Sequence, residues 1–115
     1  MKNIGRHILV EFWNCKSLNS EETAREGLKE AVKAAGATLL ALEVHKFEPH
    51  GITGIAIIAE SHISIHTWPE FDYAAIDIFT CGNKVNPDAA VEALKKYYSP
   101  EHVQIVEIRR GILRG

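Results

Sequence analysis

Two stretches of helical periodicity, each with a start and a stop signal, divide an otherwise strand-like chain, and that division limits the folds open to it. Asn19 and Ser20 both suit a helix N-cap, and Glu21 and Glu22 lie where the helix dipole favours carboxylates. Ala24, Leu28, Ala31, Val32 and Ala35 then recur at helical spacing, and Gly36 is placed to end the helix. Asn86-Pro87 predicts the second start, with proline at the first helical position. Ala90, Val91, Leu94 and Tyr98 supply its apolar stripe, and Pro100 closes it.

The remaining segments read as strands. Residues 6–13 are rich in branched and aromatic residues. In 37–48, Leu40, Leu42 and Val44 are expected on one face and Leu39, Ala41 and Glu43 on the other. Pro49-His50-Gly51 is a turn, and 53–59 is a short apolar run that suits a buried strand. In 62–67, His62, Ser64 and His66 alternate with Ile63 and Ile65. Trp68-Pro69-Glu70 interrupts the ladder because proline has no N–H to give it, and 73–80 and 102–109 are strands again. Taken segment by segment, the expected order is strand, helix, four strands, helix, strand. With both helices on one face of an antiparallel sheet, this is a two-layer α+β sandwich. Such a sheet leaves its other face bare, and a symmetric homodimer, here a four-layer αββα pair, is a common way to cover it.

At 115 residues the chain has material for a single domain, 1–115, with one core. A net charge of −2 and no basic run longer than two residues give no grip for nucleic acid or an anionic membrane. No segment is long and apolar enough to cross a bilayer, and the N-terminus lacks a signal-peptide pattern, so the cytoplasm is the expected compartment. The two cysteines, Cys15 and Cys81, suit free thiols better than a disulfide framework.

The chemistry is concentrated in Glu60-Ser61-His62-Ile63-Ser64-Ile65-His66-Thr67-Trp68-Pro69-Glu70, which packs a hydroxyl nucleophile, two imidazoles, two carboxylates and an indole into one strand-forming stretch. Taken singly, each residue has an ordinary structural explanation. A lone strand serine bonds water, Glu70 is a solvated loop carboxylate, and Cys15 and Cys81 are small core residues. A metal site on Glu60, His62 and His66 is the obvious rival reading. On a strand, however, a four-residue offset separates the two histidines by about 13 Å, too far for one ion. No metal is therefore expected.

Taken together, the run from Ala59 to Glu70, followed by Tyr73-Ala74-Ala75-Ile76-Asp77-Ile78-Phe79-Thr80-Cys81-Gly82, closely resembles the short prokaryotic S-adenosylmethionine decarboxylase proenzymes. Gly5-Arg6-His7, Glu11-Phe12, His45-Lys46-Phe47 and Glu107 extend the resemblance over nearly the whole chain. It implies self-cleavage between Glu60 and Ser61 into 1–60 and 61–115. The Ser61 hydroxyl attacks the Glu60 carbonyl and the peptide becomes an ester; elimination frees the Glu60 carboxylate and leaves a dehydroalanine, which rearranges and is hydrolysed, losing ammonia, to a covalent pyruvoyl group at the head of the second fragment. His66 matches the base that assists the elimination. The pyruvoyl carbonyl would then draw electrons from the substrate's carboxylate bond. Cys81 matches the proton donor that completes turnover.

For the substrate, the resemblance implies Phe47 and Trp68 as aromatic contacts for adenine and sulfonium, with Thr53 helping to hold that end. Glu70 would take the two ribose hydroxyls. It also implies homodimers whose sites draw on both protomers, and a place in polyamine (spermidine) synthesis. Asn14-Cys15-Lys16 departs from a more acidic stretch, and the chain stops at Arg114-Gly115, short of a tail that many relatives carry. Arginine or ornithine is the alternative substrate, and an uncleaved regulatory paralogue or a metal hydrolase are more distant readings. Phe47, Trp68 and Glu70 favour the nucleoside substrate.

Overall fold

A computed structural model describes residues 2–114; Met1 and Gly115, which belong to the terminal readings above, lie outside the described residues. The described residues form β1 (Asn3–Trp13), α1 (Glu21–Ala35), β2 (Leu39–Lys46), β3 (Ile52–Ile58), β4 (Ser61–Trp68), a 3-10 turn (Pro69–Phe71), β5 (Tyr73–Cys81), α2 (Pro87–Tyr98) and β6 (His102–Ile112). The strands make one sheet in the order β2-β3-β4-β5-β1-β6. Every neighbouring pair is antiparallel.

Four strands lie between the helices, one for each of the four segments read there. Pro69 and the left-handed Asp72 make a full turn after Trp68, so β4 and β5 become separate antiparallel neighbours. Of the two candidate caps for α1, only Ser20 serves: its Oγ accepts the Thr23 N–H at 3.0 Å. Asn19 instead turns its Oδ1 to the Gly51 N–H at 2.9 Å, which ties the β2–β3 turn to the front of α1. Gly36 ends α1 in the left-handed conformation (φ 76°), and Asn86 caps α2 through the Ala89 N–H.

The alternation expected in β4 is present. Ile63 and Ile65 are fully buried, and with Ile8, Val10, Phe12, Ile76 and Ile78 they form the helix-facing layer. Against that layer pack Leu28, Val32, Val91, Leu94 and Tyr98. Each fully buried aliphatic side chain contributes about 1.5–3 kcal/mol relative to exposure. Gly54 lets α1 come this close, since a Cβ there would lie 2.8 Å from the Leu28 Cδ1. The Tyr98 hydroxyl is buried in this core without a hydrogen-bond partner among the described residues.

In β2 the alternation fails at its start. A register shift between Leu39 and Ala41 leaves Leu40 exposed, while Leu42 and Val44 are half-buried. α1 lies over β2, β3 and β4, and α2 touches β5. Among the described residues, the opposite face has no second layer. No helix among the described residues is long and apolar enough to cross a membrane.

Candidate active site

Strand β4 carries the chemistry-bearing residues along its length, so its two ends form two separate clusters. The first is the Ser61 end. A two-residue loop, Ala59-Glu60, links β3 to β4, because Ile58 and Ser61 are already paired across the ladder. Ser61 is half-buried, and its Oγ lies 3.6 Å from the Cys81 Sγ at the end of β5. Glu60 is exposed and has φ 137°, a backbone conformation that non-glycine residues avoid. A cavity of about 310 Å³ opens beside this loop, lined by Ala59, Glu60, Cys81 and residues 82–85.

The second cluster is the Trp68 end. Register pairs Thr53 with His66, and the Thr53 Oγ1 lies 3.0 Å from the His66 Nδ1. These two residues, with Phe47, His50, Trp68 and Glu70, line a cavity of about 340 Å³, within the range of small-molecule sites. Its rear wall is fixed by Thr67, whose buried Oγ1 donates to the Leu18 carbonyl at 2.7 Å and accepts the Ile52 N–H at 2.9 Å. Phe47 and Trp68 are both exposed at its rim. Trp68 stacks on Tyr73 at 5.4 Å, and Tyr73 stacks on Trp13 at 4.4 Å. The Tyr73 hydroxyl donates to Glu11; burial, then this hydrogen bond, push its pKa up to about 12.

The structure thus brings together Ser61, Cys81 and Glu60, and separately Phe47, Thr53, His66, Trp68 and Glu70. It does not join the two groups within one chain. Five residues of strand separate Ser61 from His66 by about 17 Å, so His66 cannot serve the Ser61 of its own chain. Sequence reasoning missed several members of the second cluster. His50, read only as part of a turn, is 3.1 Å from the Glu70 carboxylate, so Glu70 is not simply a solvated loop acid. The roles of Asn19, Thr67, Trp13 and Tyr73 also depend on contacts between distant elements. Only the aromatic content of Trp13 and Tyr73 was a signal, and it gave no partner.

The metal reading on Glu60, His62 and His66 fails because Glu60 sits in the hairpin turn and the two histidines point from different cross-strand rows. The groups that do converge are His7, His62 and Asp77, whose ligand atoms lie within 4.8 Å of one another. Arg110 also meets this group. Its Nη1, always a donor, lies 3.2 Å from the His7 Nδ1, which must therefore accept. With Nδ1 accepting, the His7 Nε2 donates to Asp77 at 2.8 Å, so the ring is held between Arg110 and Asp77.

The two cysteines differ in setting. The Cys15 N–H bonds the Asp72 carbonyl near the Trp68 end, and burial, then the Asp72 charge, push its thiol up to about 11. Cys81 stands beside the only serine that the chemical segment places at a turn. A cavity of about 670 Å³ between α1 and α2 holds none of these groups.

Known proteins resemble this chain over nearly its whole length. Residues 6–111 match the family model described as S-adenosylmethionine decarboxylase. An S-adenosylmethionine decarboxylase proenzyme of Methanococcus maripaludis is 48% identical over 115 residues, spanning 98% of this chain and 94% of its own length. One from Thermomicrobium roseum is 46% identical over 114 residues, 98% of each chain. The crystal structure of the adenosylmethionine decarboxylase from Aquifex aeolicus superposes with a TM-score of 0.90 at 36% identity, covering 99% of this chain and 96% of that one. A match that runs through both ends of β4 and nearly every element around them leaves one conclusion: the chain belongs to the S-adenosylmethionine decarboxylase family.

Proposed function

We propose that this chain is the proenzyme of a pyruvoyl-dependent S-adenosylmethionine decarboxylase that cuts itself between Glu60 and Ser61. The observation that carries the reading is the Ser61 hydroxyl, 3.6 Å from the Cys81 thiol and directly after a turn whose backbone is held out of its favoured range. Residues 61–115 would then begin with the group made from Ser61. The setting fits such a group: it would head a strand rather than lie inside one, and Cys81 and the neighbouring cavity flank it. A pyruvoyl group supplies an electrophilic carbonyl that withdraws electrons as the carboxylate leaves.

The chain's own residues supply the rest. Cys81 is placed to return a proton at the Ser61 end. At the other end, Phe47 and Trp68 offer faces for adenine and the sulfonium, and Glu70 accepts from the ribose hydroxyls while His50 holds it. Arginine or ornithine would give Glu70 no ribose to bind. Because the two ends cannot meet within a chain, the working unit is a homodimer that sets the Ser61 end of one copy against the Trp68 end of the other. Its sheets stack bare face to bare face in four layers, and His66 of one copy assists elimination at Ser61 of the next. The product, decarboxylated S-adenosylmethionine, suits spermidine synthesis in the cytoplasm.

Intact mass spectrometry of freshly purified protein tests this. The expected result is two fragments, 1–60 and 61–115, the second with a blocked ketoacyl end. Ser61→Ala gives one uncut chain without decarboxylase activity. Normal carbon dioxide release by Ser61→Ala would remove the mechanism.

A further inference from the structure

We infer that the backbone of Glu60 is a strained element that drives the first step of self-cleavage, so that the conformation of this residue rather than its carboxylate sets the rate of maturation. The inference rests on the reading of Glu60–Ser61 as the bond that is cut.

Three constraints meet at Glu60. The ladder pairs Ile58 with Ser61, so only Ala59 and Glu60 can reverse the chain. Two-residue hairpins of this kind are normally built from glycine, asparagine or aspartate, which accept positive φ. Here neither loop residue belongs to that set, and Glu60 takes φ 137°. The Glu60 N–H closes onto the Ile58 carbonyl at 3.0 Å, and the Ala59 N–H is tied to the Thr38 carbonyl at 3.0 Å. Ladder, turn and the Thr38 tether therefore hold the residue where an L side chain is disfavoured. The Glu60 side chain is exposed and makes no hydrogen bond or ion pair among the described residues, so no contact of that kind explains why the position is not glycine.

The chemistry uses this strain. In the first step the Ser61 Oγ bonds to the Glu60 carbonyl carbon, the bond from that carbon to the Ser61 nitrogen breaks, and the hydroxyl proton ends on the nitrogen. The product is an ester and a free amine, with no atom gained or lost. In a relaxed peptide this exchange is uphill because amide resonance is lost. Here the ester route inserts the Ser61 Oγ and Cβ into the connection, lengthening a loop too short for its residues. Glu60 can then leave its positive φ. Strain present in the peptide and absent from the ester shifts the step forward.

The test compares Glu60→Gly with Glu60→Ala, since both lack the carboxylate and only the alanine carries the Cβ that disfavours positive φ. Fragment formation followed by intact mass after rapid purification should be at least about tenfold slower for Glu60→Gly than for Glu60→Ala. In the uncut Ser61→Ala background, the same glycine should raise the melting temperature above that of the alanine. That rise would be opposed by glycine's extra freedom in the unfolded chain, which makes it a stringent measure of native-state strain. Equal cleavage rates, or a melting temperature that fails to rise, overturn the inference while leaving the cleavage reading intact. If the parent chain yields no fragments at this bond, the cleavage reading falls and takes the inference with it.

Discussion

The two ends of β4 gather different kinds of groups with the same strand geometry. At the Ser61 end the important groups are close in sequence or at the ends of neighbouring strands: a two-residue loop, a hydroxyl and a thiol 3.6 Å away. At the Trp68 end the groups come from the β2–β3 turn, β3, β4 and the 3-10 turn, and they surround a cavity. In the proposed function, bond breaking falls to the first end and recognition to the second. A straight strand keeps them apart, and the eight residues of β4 span about 23 Å between Ser61 and Trp68. Each end also holds one cysteine. Cys15 near the Trp68 end is kept as a thiol by burial and by Asp72, whereas Cys81 faces the serine hydroxyl.

The separation of the two ends can be tested most severely by mixing defects. Ser61→Ala damages one end and His66→Ala the other, and neither homodimer should decarboxylate. Co-expressed, they should form mixed dimers with one intact composite site each. About a quarter of wild-type activity should return, since half of randomly paired dimers are mixed and each of those has one working site of two. Recovery of nothing would confine each site to one chain and break the comparison.

A smaller effect sharpens it. Glu70→Gln should raise KM about tenfold with kcat nearly held, the signature of lost substrate binding. Cys81→Ala should lower kcat about a hundredfold while the chain still cuts itself. The reverse pattern would exchange the roles of the two ends.

The smallest effect concerns Cys15. Its folded pKa is raised from the ordinary 9.0 to about 11, so the folded state holds the proton more tightly than the unfolded one. The stability it contributes is complete below about pH 9 and is lost as pH climbs towards about 11. The melting temperature should therefore drop across that interval, and Cys15→Ala should soften the drop. An unchanged alkaline slope in Cys15→Ala would remove Cys15 as the source.

Some of this was legible before any coordinates. Leu28, Val32, Val91 and Leu94 announced two helices by their spacing, and Ile63 and Ile65 announced the buried face of β4 by theirs. These patterns are local, because a helix or strand presents every third or fourth, or every second, residue to the core. Leu40 and Asn19 show where local rules give out. A register shift decided the exposure of Leu40, and a hydrogen bond to Gly51 decided the side chain of Asn19, when both of its neighbouring roles looked equally open. His50 carried no periodic signal at all. Its value comes from the return of the 3-10 turn beside the β2–β3 turn, which places Glu70 3.1 Å away.

The sequence by itself determined the elements, the apolar layer beneath the helices and, through the density of Glu60 to Glu70, the neighbourhood and family of the chemistry. Only the tertiary structure decided which residues share a cluster: Ser61 with Cys81, and His66 with Thr53 and the cavity. The reason is the antiparallel ladder. It brings residues from distant positions side by side across about 5 Å while holding residues on one strand rigidly apart, so nearness in sequence along β4 became distance, and distance between strands became contact.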